Sequence, residues 1–142
     1  MVYNKDKGVD IMLRVFVDTS DNNRSIDELN FNIQYVSFSN ICSNSESIDS
    51  FKKVINQYLK NNDRIIILTL DSRISKAYYV FEPLFNNESI KVINSSLPFG
   101  GLNSVVNEIR RNKNKSLNYI EEKVGKLSEL LNSFYFIWAY ML

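Results

Sequence analysis

Arg64-Ile65-Ile66-Ile67-Leu68-Thr69-Leu70 is the stretch whose reading decides the fold. It is continuous and largely β-branched, and Asn61-Asn62-Asp63 and Asp71-Ser72 bound it on either side. A short apolar run between turn residues reads as a strand buried on both faces. Such strands belong to parallel sheets covered by helices on both sides. Working outward, Met12–Val17 (MLRVFV) is a second run of this kind and ends at Asp18-Thr19-Ser20. Ile33–Phe38 is a third and Ile90–Ile93, which stops at Asn94-Ser95-Ser96, is a fourth. Phe134–Tyr140 (FYFIWAY) reads as a fifth strand.

Helical periods fill the gaps. Ile48, Phe51, Val54, Ile55, Tyr58 and Leu59 fall on one helix face, with Ser47 or Asp49 available as a cap. Ile74, Ala77, Tyr78 and Phe81 form a shorter stripe that Pro83 ends. Leu102, Val105, Val106 and Ile109 form another, closed by Arg110-Arg111-Asn112-Lys113. The longest helix is predicted from Ser116 to about Asn132. Strands alternating with helices give an α/β domain with a mostly parallel sheet of about five strands. No repeat or linker divides the chain, so residues 12–142 read as one domain behind a polar, flexible extension at 1–11.

Composition narrows the function. Lys and Arg number 17 against 16 Asp and Glu, a net charge of +1, which gives no electrostatic case for nucleic acid. No apolar run is long enough for a membrane span, and the single Cys42 suits a reducing, cytoplasmic setting. The chain has no histidine, which removes the commonest general base and metal ligand. Its four glycines, Gly8, Gly100, Gly101 and Gly125, spell no phosphate-binding loop. The expectation is therefore a protein that is not an enzyme, with no metal and no cofactor.

In parallel α/β sheets, ligands sit beyond the carboxyl ends of the strands. Here those ends carry Asp18-Thr19-Ser20, then Ser39 to Ser45, then Asp71 to Ser75, then Asn94-Ser95-Ser96. Hydroxyl and amide groups in such turns can hold a carboxylate through several neutral donors. The same residue types also cap helices and turn the chain. The candidate ligand contacts are Asp18, Thr19, Ser20, Ser43, Asn44, Ser75, Ser95 and Ser96, with Ser43 and Ser75 foremost. Lys76 is the cation in these segments that could meet an anion; its ordinary role is a solvated helix lysine. Cys42 reads as a small buried apolar residue, and the basic Arg110–Lys115 segment as a solvated helix end.

These segments carry a resemblance. VFVDTS at 15–20 looks like the opening strand and T-D-S-T turn of the DegV family, the bacterial fatty-acid-binding proteins. CSNSESIDSF at 42–51 is similar to its T-T-S-Q-P-S-P-G-E-F, with Ser43 and Asn44 in place of Thr-Ser. LDSRISKAY at 70–78 resembles the stretch S-S-x-L-S-G-T-Y; Ser75 keeps its serine, and Lys76 and Ala77 replace Gly and Thr. KVINSSLPFGG at 91–101 resembles V-x-V-I-D-S, with Asn94 for Asp. SFYFIWAYML at 133–142 resembles the strand that leads to the family's second domain. The resemblance spans nearly everything after Met12.

What the resemblance implies is a single Rossmann-like, three-layer domain corresponding to the family's N-terminal half, with no second domain. It also implies a non-catalytic fatty-acid or small-carboxylate binder that presents its ligand to a fatty acid kinase. The alternative is a protein-interaction or regulatory module with a vestigial pocket. The apolar Phe134–Leu142 segment would then join a partner or a second copy.

Overall fold

Burial sorts the apolar residues onto the two faces of one sheet. A computed structural model describes residues 3–4, 9–19, 24–97 and 102–141, with the backbone alone described at 3–4, 9–10 and 135–141. A small antiparallel pair comes first, β1 (Tyr3–Asn4) against β2 (Val9–Asp10). The main sheet contains β3 (Leu13–Asp18), β4 (Arg24–Glu28), β5 (Phe31–Val36), β6 (Arg64–Thr69) and β7 (Ile90–Asn94). Its order is β4-β5-β3-β6-β7. All neighbours run parallel except β4 and β5. Leu13 stands opposite Phe31 on one side and Arg64 on the other, and Ile65 stands opposite Ile90.

The predicted α/β domain with a mostly parallel five-stranded sheet is what forms. Side chains alternate across a strand, so β6 feeds both faces at once. Ile66 and Leu68 join Val15, Ile33 and Ile93 beneath α4 (Leu102–Arg111) and α5 (Leu117–Met141). Ile65 and Ile67 join Phe16 beneath α2 (Ser45–Lys60) and α3 (Ala77–Phe81). The second face is the aromatic one. Phe51 meets Phe81 at 5.2 Å and Phe16 at 5.6 Å between ring centroids. A short α1 (Phe38–Ile41) brings Phe38 onto Phe81, edge to face at 5.2 Å.

Two expectations about the strands are corrected. Phe134–Tyr140 is not a strand; it is the end of α5, which runs unbroken from Leu117 to Met141. A helix already formed extends at little cost per residue, whereas a new strand needs a turn first. Asn132-Ser133 supplies neither glycine nor proline for that turn, and Asn132 is tied down by donating from its Nδ2 to the Ser96 carbonyl at 3.0 Å. The fifth strand is instead β4, whose every residue is exposed. It hairpins onto β5 through Asn30, which sits at φ 61°, a conformation that asparagine tolerates.

The helices differ in smaller ways. The cap of α2 is Asn44, not Ser47 or Asp49: its Oδ1 accepts from the Ser47 N–H at 2.8 Å. Ile74 lies in a turn before α3 rather than in a helix, and is 51% exposed. Phe38, placed by the sequence at the end of a strand, begins α1 because Ser37 caps it. At the amino ends of β5 and β6 the basic segment is used structurally. Arg110 pairs with Glu28 at 3.1 Å, Lys113 Nζ donates to the Leu29 carbonyl at 2.9 Å, and Arg64 donates to the Lys115 carbonyl at 2.6 Å. Among the described residues no helix is long and apolar enough to cross a membrane.

Candidate functional site

The strand order fixes where a ligand can enter. From β3 the chain moves to β4 and β5 on one side, and from β5 it returns over β3 to β6 on the other. The connections thus part at the carboxyl ends of β3 and β6, and a crevice opens at such a point in a parallel sheet. A cavity of about 530 Å³ occupies this position. That size is within the ordinary range for small-molecule sites. Its lining comes from the end of β3 (Asp18, Thr19), from α1 and the residue after it (Phe38, Ser39, Cys42), and from the β6–α3 connection (Leu70, Ile74, Ser75, Lys76). Ala77 and Leu102, the first residues of α3 and α4, complete it.

The lining divides by chemistry. Phe38, Cys42, Leu70, Ile74, Ala77 and Leu102 are apolar. Asp18, Thr19, Ser39, Ser75 and Lys76 are polar, and of these Ser39 and Lys76 are exposed. Asp18 Oδ1 accepts from the Phe38 N–H at 3.2 Å. Burial pushes the Asp18 carboxyl above its ordinary value, against the pull of the Phe38, Leu70 and Thr19 N–H groups. Burial likewise pushes the Cys42 thiol up; Lys76 acts to lower it and Asp18 to raise it further. Cys42 therefore stays a thiol near neutral pH and is a poor nucleophile.

The β6–α3 connection is held by one buried acid. Asp71 Oδ1 accepts from the Arg73 N–H at 2.9 Å, and Oδ2 accepts from Arg73 Nε at 2.9 Å. The Asp71 N–H donates to the Leu97 carbonyl at 2.9 Å, and the Asp71 carbonyl accepts from the N–H groups of Ile74 and Ser75. This network places Ile74 and Ser75 on the cavity wall. Ser75 Oγ also accepts from the Ala77 N–H at 3.3 Å, so one hydroxyl starts α3 and lines the cavity.

Three of the eight residues expected at the site meet in this cavity: Asp18, Thr19 and Ser75. Ser43 and Asn44 do not line it. Ser43 Oγ donates to the Asn40 carbonyl at 2.6 Å, and Asn44 caps α2. Ser95 is fully buried below the rim, and its Oγ accepts from the Leu97 N–H at 3.2 Å. Ser96 turns the chain at φ 59°, its N–H donating to Asn94 Oδ1 at 2.8 Å. Ser20 lies outside the described residues. Apolar lining residues not foreseen from the sequence are Phe38, Cys42, Leu70, Ile74, Ala77 and Leu102. Phe38 and Leu70 lie just past strand ends among polar neighbours, whereas Ala77 and Leu102 open helices α3 and α4. Among the described residues no cluster of three His, Cys, Asp or Glu is placed to hold a metal.

No family model, curated protein or solved structure matches the chain.

Proposed function

We propose that this protein binds a small carboxylic acid with an apolar tail, a fatty acid in the first instance, and does no chemistry on it. The observation that carries the reading is the divided lining of the cavity: an ammonium, three hydroxyls and the Asp18 carboxyl beside a wall of Phe38, Leu70, Ile74 and Leu102. Lys76 supplies the cation for a carboxylate, and Thr19, Ser39 and Ser75 supply neutral donors. The apolar wall takes the tail, at about 0.8 kcal/mol for each methylene buried. The reading agrees with the DegV-like segments, which contribute Asp18, Thr19 and Ser75 to this cavity. A Rossmann-like, DegV-like domain is the finer fold we infer from the same segments and from the position of the cavity.

The test is native mass spectrometry on protein purified from cells, followed by calorimetric titration with octanoate. A co-purified acid mass and saturable octanoate binding are expected. Replacing Ser75 and Lys76 together by alanine should weaken octanoate about tenfold, or about 1.4 kcal/mol. Unchanged binding in that double variant would move the site elsewhere, and no binding to the wild type would end the proposal.

A second reading, the interaction module, draws on Leu130 and Phe134, which are 67% and 64% exposed on α5. Sedimentation across a wide concentration range distinguishes it, since self-association through α5 predicts a dimer that Leu130→Glu disperses.

A further inference from the structure

The cavity holds more charge than an acid-binding site needs. Among its described lining residues Lys76 is the cation and Asp18 is the carboxylic acid. Those two charges already balance. A bound carboxylate adds a second negative group to a partly buried space with one ammonium. Two carboxylates in one site do not both ionise cheaply; one holds a proton. Arg73 does not relieve the excess, because its guanidinium is bonded to Asp71.

Resting on the carboxylic-acid reading above, we propose that the acid enters with one proton, shared between its carboxyl group and that of Asp18. The balance is simple. Above both carboxyl titrations the free acid is an anion and Asp18 is ionised; the complex forms by taking up one proton from solution, and release returns it. The described titratable groups facing Asp18 across the cavity are Cys42, beyond α1, and Lys76, at the start of α3. Leu70 after β6 and Leu102 at the start of α4 bring none. Cys42 is held as a thiol by burial and is silent over the relevant range. Asp18 is the group left to carry the linkage, and its burial already favours the protonated form. Acidification would then load the protein and alkalinisation would unload it.

The experiment is octanoate titration by calorimetry between about pH 5 and pH 8, on the wild type and Asp18→Asn. Each pH is run in two buffers of different ionisation heat, which counts protons directly. The wild-type dissociation constant should rise about tenfold for each pH unit above both titrations, the limit for one linked proton. Proton uptake should approach one per octanoate near pH 7. In Asp18→Asn the constant should be nearly flat over the same range, with no linked proton. A wild-type constant that does not change from pH 6 to pH 8, with no proton uptake, overturns the shared proton and leaves the carrier reading standing. No octanoate binding by the wild type at any pH overturns both. The proton count needs only the wild type, so it holds even if the variant folds poorly.

Discussion

Asp18, at the end of β3, accepts a hydrogen bond from the backbone N–H of Phe38, the first residue of α1, and both line the same cavity. This bond ties the cavity-lining carboxyl to the aromatic face of the core, so its charge state bears on stability. Burial raises its folded pKa above the unfolded value. The stabilising side of that difference is fully present below the unfolded pKa and is lost as pH rises through the folded one. Asp18→Asn, which cannot ionise, should therefore gain stability relative to the wild type as pH rises from about 3 to 7. The gain is limited because the Phe38, Leu70 and Thr19 N–H groups oppose the effect of burial on this carboxyl. Urea denaturation of both proteins at several pH values measures it. A wild type that gains on the variant toward neutral pH would show that the N–H donors outweigh burial.

Asp71 behaves in the opposite sense. Hydrogen bonding from Arg73 holds its carboxyl below the usual range. Stability from this group is present above the unfolded pKa and lost as pH falls through the folded one. Arg73 is largely exposed, so the ion pair itself is heavily screened, and the bond from the Arg73 backbone N–H should matter more. Asp71→Ala should cost about 1 kcal/mol near neutral pH, because it removes the acceptor that the Arg73 backbone N–H uses to hold the β6–α3 connection. The cost should shrink in acid and change little with added salt. The same variant should loosen the wall formed by Ile74 and Ser75, seen as weaker octanoate binding in the titration above.

The sheet was readable in the sequence because its strands are buried on both faces. RIIILTL can satisfy its backbone and bury five consecutive side chains in little else than a central strand. β4 escaped notice for the opposite reason. Arg24-Ser25-Ile26-Asp27-Glu28 is exposed along its whole length and exists through its hairpin ladder with β5, so it carries no apolar run to mark it. Phe134–Tyr140 shows the limit of apolar runs, which fit a strand or a helix equally well until the preceding structure decides. The strand ends named from the sequence lie along the rim that holds the cavity. Placement at strand ends could not separate serines that turn inward, such as Ser75, from those spent on local turns, such as Ser43 and Ser96. That choice depends on backbone N–H groups a few residues away, which composition does not reveal.

The aromatic face should be the more fragile half of the core. Phe51 touches four other rings, Phe16, Phe38, Phe81 and Phe85. Removing it opens a cavity that neighbours anchored on β3, α1 and α3 cannot all move to fill. Phe51→Ala should cost about 3–5 kcal/mol. Val54→Ala, one helical turn along α2 on a partly exposed site, should cost well under about 1 kcal/mol. Urea midpoints of the two variants test the contrast, and equal losses would mean that α2 is not anchored through its phenylalanine.

The end of α2 offers a gain instead of a loss. The Asn62 N–H donates to the Leu59 carbonyl at 3.0 Å, and the Asp63 N–H donates to the Tyr58 carbonyl at 3.2 Å. Those two bonds, with Asn62 at φ 65°, form a Schellman stop. A side chain there strains against the following carbonyl, by about 1 kcal/mol for most residues and less for asparagine. The position also sets the entry to β6, because Asp63 next along pairs with Arg14 of β3 at 2.7 Å. Asn62→Gly should keep both bonds and raise stability by up to about 1 kcal/mol. Asn62→Val should lower it by more than about 1 kcal/mol, since a β-branched residue fits this conformation worst. Thermal or urea unfolding of the pair gives the answer through its sign. If valine matched glycine, the backbone would have to leave the left-handed region, and the stop between α2 and the central strand would have another cause.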